Sequence, residues 1–164
     1  MAMYYLNVTL HVLAALLWLG GMFFLAAVGA PVLRSVESAE LRADLFRRLG
    51  EQFRTVGWIS IGVLVITGIA NLHFRGVLDW AVLSNGEFWA TRYGHALAAK
   101  LGTVLAMIIL SAIHDFVIGP ASTRVTPGTP KAIRLRRRAA YVARINALIG
   151  MVLVYAAVRL ARGG

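Results

Sequence analysis

Residues 1–33, MAMYYLNVTLHVLAALLWLGGMFFLAAVGAPVL, contain no Asp, Glu, Lys or Arg. A helix crosses the hydrocarbon of a bilayer in about 20 mostly apolar residues. This stretch is long enough to do so, and we place the span near residues 4–31. Val28-Gly29-Ala30 has the small side chains of a signal-peptide cleavage site. The stretch nevertheless reads as a retained span. No Lys or Arg precedes the apolar run, the run far exceeds the roughly 7–15 apolar residues of a signal peptide, and Pro31 would directly follow the cut. Three more apolar runs lie near residues 56–74, 93–117 and 140–160. The expected fold is all-α, a four-helix transmembrane bundle forming a single membrane domain over residues 1–164.

Composition points the same way. Of the residues, 59% are hydrophobic and 15% charged, against roughly 45–50% and about 25% in soluble domains. The net charge of +10 does not mark a nucleic-acid partner, because the basic residues sit in short stretches between the apolar runs. Arg34, Arg42, Arg47, Arg48 and Arg54 fall in the first connection, and Arg124, Lys131, Arg134, Arg136, Arg137 and Arg138 in the third. The opposite side holds Arg75, Arg92, Arg159 and Arg162. Eleven against four predicts that the richer side is cytoplasmic and that both termini face outward, across a bacterial inner membrane. The chain has no cysteine, which excludes disulfides, thiolate metal sites, iron–sulfur clusters and thioether-linked haem.

The connections carry patterns of their own. Leu41, Leu45 and Leu49 recur at i, i+4, i+8 among charged residues, which predicts a helix lying on the membrane surface. Thr123 to Pro130 reads as a loop, and Arg134 to Arg138 as an anchor on anionic lipid. Trp80, Phe88, Trp89 and Tyr93 fit an interfacial aromatic belt.

Ionisable groups are costly inside a membrane and mark candidate sites. His11 lies about two turns into the first span, His73 closes the second and His95 opens the third, so all three fall in the outer half. His114 lies at the opposite end. Asn7, His11 and Trp18 share a helical face at i, i+4 and i+11, so Asn7 is placed to orient the imidazole. Gly20-Gly21 allows close approach of a neighbouring helix. On the third span, Tyr93, Lys100, Thr103, Met107, Ser111 and His114 form one stripe, and Lys100 is expected to face the interior. Asp115 is placed to pair with Arg144.

Imidazole suits copper, zinc and haem iron. Copper would use His11, His95 and His73, and Met22, Met107 and Met151 could extend a soft-ligand path. Haem b would use His11 with His95 or His73 as axial ligands, with its propionates near Arg75 and Arg92. No P-loop, Rossmann glycine pattern, His-Glu-x-x-His or nucleophile–base constellation is present.

These residues also carry a resemblance. Leu10-His11 through Trp18-Leu-Gly20-Gly21, with Pro31 closing the span, resembles the first helix of the CopD family. Phe53-Arg54 through Gly57, with Thr67-Gly68, Asn71 and Leu72, resembles its second helix. Gly94 and Lys100-Leu101 resemble the third, and His114-Asp115-Phe116 with Gly119-Pro120 matches a subset of it. The resemblance implies a small inner-membrane protein of copper resistance or uptake, and supports His11, Trp18 and Lys100. The chain departs from longer family members in having four spans and no separate copper-binding domain. More distantly, His11, Trp18 and Lys100 resemble positions of the four-helix haem-binding protoporphyrinogen oxidase family.

The leading expectation is thus a copper-handling membrane protein. The alternatives are a haem b-binding cytochrome, which would make the chain a membrane oxidoreductase, and a structural or assembly subunit whose polar residues only fix packing. Expected partners are the bilayer, a copper ion or haem, a periplasmic copper or electron-transfer protein, and a second copy of the chain.

Overall fold

The computed structural model describes residues 1–126 and 129–162. Four long helices dominate: α1 (Ala2–Arg34), α2 (Ala39–Phe74), α3 (Arg92–Ala121) and α4 (Pro130–Ala161), each long and apolar enough to cross a membrane. The chain is therefore an all-α, multi-pass bundle. The most extensive pairings are α1 with α2 and α3 with α4, and α1 also meets α4. One end of the bundle carries Met1, Arg75, Arg92 and Ala161, and is called here the terminal end. The other, the basic end, carries the two arginine-rich connections. Pro127 and Gly128, in the expected loop before α4, lie outside the described residues.

Helix starts follow local chemistry. The hydroxyls of Ser38, Thr91 and Thr129 accept from the backbone N–H groups of Leu41, Gly94 and Ala132, satisfying donors that a first turn leaves open. Pro130 begins α4 where its missing N–H costs nothing. At the end of α2, Gly76 takes φ +68°. Its N–H donates to His73 O, and Val77 N–H donates to Leu72 O, both at 2.9 Å. This paired closure needs a left-handed residue, for which glycine is the natural choice.

Two prolines do not stop their helices. Instead, the turns before them widen to π geometry, over Leu25–Gly29 in α1 and Ile113–Ile118 in α3. Ala30 N–H reaches back to Leu25 O and Gly119 N–H to His114 O, just before Pro31 and Pro120. A proline ring clashes with the carbonyl four residues back, and a wider turn relieves the clash.

The amphipathic segment within the first connection differs from expectation. It is no separate surface helix but the first half of α2, which runs unbroken for 36 residues. No proline interrupts it, and its four glycines, Gly50, Gly57, Gly62 and Gly68, are each too small a penalty to break it. Arg47 bridges Asp44 and Glu51, and Arg48 bridges Asp44, the i,i+3 and i,i+4 ladder that supports an exposed helix.

The core has two parts. Trp18, Leu19, Ile61 and Met107 form the central cluster, with Met22, Phe53 and Trp58 packed on it. Gly21 admits the Phe53 ring, which a Cβ there would strike, whereas nothing lies within 4 Å of a Cβ at Gly20. The second cluster joins Val77, Leu97 and Leu160 to Phe88, Trp89 and Tyr93. The second connection therefore folds as a cap on the terminal end. Of the expected aromatic belt, Trp80 is the exposed member, at 82%. The other three pack inward, and Trp89 Nε1 donates to Leu83 O at 2.8 Å.

Candidate functional site

His11 is held from α2. Its ring lies against Gly68, and its Nδ1 stands 2.8 Å from Thr67 Oγ1. Thr67 is 5% exposed, and its hydroxyl donates to Val63 O at 2.6 Å. A hydroxyl carries one proton. With that proton given to Val63, Thr67 Oγ1 can accept from His11 Nδ1–H, and the Leu64 backbone carbonyl also takes a hydrogen bond from the ring. Fixing one ring nitrogen to commit the other is how ligand histidines are prepared.

Asn7 does not touch the imidazole. Its Nδ2 donates to Thr67 O at 2.9 Å and to Asn71 Oδ1 at 3.0 Å. It clamps the turn that holds His11 and so acts one step further back than the helical spacing suggests. Thr67 is the residue that spacing along α1 could not reveal, because it comes from the facing helix.

Lys100, partly buried on α3, lies within electrostatic range of both His11 and Arg75. It has no salt bridge among the described residues. Arg75 Nη2 reaches Tyr4 Oη at 3.4 Å. Tyr93 Oη is buried beside the Arg75 guanidinium, which interacts with it as well as with Tyr4. Met1, Met3, Tyr4, Phe74 and Arg75 line an open hollow of about 340 Å³. The terminal end therefore gathers one imidazole and two cations.

The remaining candidates are placed differently. His73 and His95 are exposed. His73 packs beside Phe74, and His95 Nδ1 sits 3.0 Å from Thr91 O, one turn back on its own helix. No group of three His, Cys, Asp or Glu side chains forms a metal-holding cluster among the described residues, so the three outer histidines do not assemble as one. Arg92 is exposed. Trp18 is buried in the central core, with its indole over Gly57.

At the basic end, Asp115 meets Trp58 and His114 in place of Arg144. Trp58 Nε1 donates to Asp115 Oδ2 at 3.0 Å, and His114 Nδ1 lies 2.8 Å from Asp115 Oδ1. The π turn containing Asp115 adds a residue to the helical register, which turns the carboxylate toward α2. Mid-bundle, Asn146 faces Ser111 and Met22. The sequence signal for it was a lone amide in the apolar run of α4.

Comparison with known proteins now places the chain. The profile of CopD, copper resistance protein D, matches residues 47–160. The chain belongs to the CopD family. As a CopD protein with four spanning helices, it is a multi-pass bacterial membrane protein whose family fits a copper-resistance type of role. An uncharacterized protein of Aquifex aeolicus (strain VF5) is 28% identical over 155 residues, covering 94% of this chain and 92% of that protein. That coverage extends the likeness into α1, beyond the segment matched by the CopD profile. No solved structure matches.

Proposed function

We propose that this CopD-family protein takes up or passes copper through a site at the terminal end, with His11 as the ligand. In this reading both termini face outward, in line with the basic connections on the opposite side. The observation that supports the reading is the 2.8 Å contact between Thr67 Oγ1 and His11 Nδ1, which in the Nδ1–H tautomer leaves the Nε2 lone pair for a metal. A single protein imidazole leaves copper with open positions, so the ion can be exchanged with a partner. That suits transfer better than storage.

A second reading, haem b, is favoured by Lys100 and Arg75. Lys100 near the imidazole, with Arg75 near Lys100, opposes a bare metal ion and suits a carboxylate-bearing ligand. His11 would hold the iron and Lys100 and Arg75 the propionates, and the group would supply one-electron chemistry.

The test uses detergent-purified protein titrated with copper(I) under reductant, with visible spectra of the same sample. Copper binding without a Soret band is expected, and it should fall at least tenfold in His11→Ala. Lys100→Met should tighten copper by removing repulsion, whereas it would weaken haem retention. Undiminished copper binding by His11→Ala would overturn the site, and a Soret band lost in that variant would replace copper by haem.

A further inference from the structure

Arg75, Tyr4 and Tyr93 form a cluster of hydrogen-bond donors at the terminal end. Arg75 Nη2 stands 3.4 Å from Tyr4 Oη, and the guanidinium interacts with the buried Tyr93 Oη as well. A guanidinium only donates, so each phenol oxygen accepts from it and keeps its own proton to give. Neither phenol finds an acceptor for that proton among the described residues. The guanidinium also has more N–H groups than two phenols can use. The cluster is therefore rich in donors and short of acceptors.

Charge and shape say what would supply them. Lys100, partly buried on α3, lies within electrostatic range of Arg75. Neither cation has a salt bridge among the described residues. The acidic side chains of this end, Asp79 and Glu87, are exposed, and Asp79 accepts from Ala81 N–H at 2.8 Å. Cations at the edge of an apolar bundle are costly without a counter-charge, so the missing acceptor is an anion. Tyr4 and Arg75 also line the open hollow of about 340 Å³, whose other walls are Met1, Met3 and Phe74. Donors on one side and apolar side chains on the other suit an amphipathic ligand better than a free ion.

We propose that Arg75, with Tyr4 and Tyr93, binds the phosphate of an anionic phospholipid from the leaflet at the terminal end. Arginine suits phosphate because its planar fork gives two parallel, charge-assisted hydrogen bonds. The glycerol and acyl carbons lie against Met1, Met3 and Phe74, and Lys100 adds attraction from within the bundle. The proposal rests on the copper reading of the His11 site, because haem propionates would claim the same cations. Under that reading the lipid has a second effect: its charge offsets the repulsion between Lys100 and an ion at His11.

The test measures phosphatidylglycerol bound to the full chain in detergent by native mass spectrometry, with a visible spectrum of the same sample. Wild type should prefer it at least tenfold over diacylglycerol, which lacks the phosphate, and excess inorganic phosphate should not displace it. Arg75→Gln should weaken binding at least tenfold. Tyr93→Phe keeps the ring and removes one O–H donor, so it should cost about fivefold, and it keeps the test open if Arg75→Gln fails to fold. Arg159→Gln, exposed at the same end and away from the hollow, should bind as wild type. Equal losses in Arg75→Gln and Arg159→Gln, or no preference over diacylglycerol, would overturn the site and leave the copper reading standing. Displacement by inorganic phosphate would overturn the lipid as its occupant. A Soret band would overturn the copper reading and give the cations to propionates.

Discussion

Replacing Thr67 with valine keeps the shape of the side chain and removes the hydroxyl that receives His11 Nδ1–H. Two hydrogen bonds vanish, the one from His11 at 2.8 Å and the one to Val63 O at 2.6 Å. The second returns Val63 O to its ordinary helical partner at little cost. The first costs the imidazole its hydroxyl partner and leaves the Leu64 carbonyl beside the ring, at about 1–3 kcal/mol. The neutral ring can escape by moving its proton to Nε2, which masks the atom that binds metal. Restoring the binding tautomer then costs roughly 1.4 kcal/mol or more, so the copper(I) Kd should rise about tenfold. This agrees with the roughly 10–100-fold cost of losing the partner that orients a ligand histidine. Thr67→Ser, which retains the hydroxyl, should bind within about twofold of wild type. Competition titration against a copper(I) chelator measures both affinities, and nitrogen-15 NMR of the imidazole reads the tautomer. Wild-type affinity in Thr67→Val, or equal losses in the valine and serine variants, would refute the argument that this hydroxyl commits His11 Nε2.

Other expectations follow from packing and topology. Gly21→Ala should destabilise the bundle by about 1–3 kcal/mol, the usual cost of overpacking, because its Cβ strikes Phe53; Gly20→Ala, with open space around it, should not. Thermal unfolding in detergent compares the pair. Trp58→Phe removes the donor to Asp115 and should cost about 1–3 kcal/mol, as for a part-buried carboxylate that loses a partner. Chemical denaturation would show this, and an unchanged midpoint would mean that His114 alone satisfies the carboxylate. Tags at either terminus should be reached by a membrane-impermeant reagent in intact cells. Protection of one but not the other is incompatible with an even number of spans.

The spans were legible because a bilayer imposes one requirement, length of apolar sequence, that a linear reading measures directly. His11 was legible for a related reason, since a polar group in such a run stands out. Features that depend on two helices meeting were not. Asn7 and His11 share a face, but only the fold shows that both address Thr67 and that Thr67 is the contact that matters. Asp115 and Arg144 were matched by depth alone, and the π turn before Pro120 broke that match by rotating the carboxylate toward Trp58. In the expected belt Trp80 is exposed, whereas Phe88, Trp89 and Tyr93 pack against the helix ends, a split the sequence did not show. Aromatic composition cannot say whether a connection lies flat on lipid or folds back over the helix ends.

The unbroken course of α2 ties the two faces of the membrane together. At 36 residues the helix is about 54 Å long, nearly twice the roughly 30 Å of hydrocarbon. Its charged half, braced by Arg47 and Arg48, and the Thr67 hydroxyl that grips His11 belong to a single shaft with no joint between them. Arg54 at the basic end and Thr67 beside the imidazole are thus joined by about 20 Å of continuous helix.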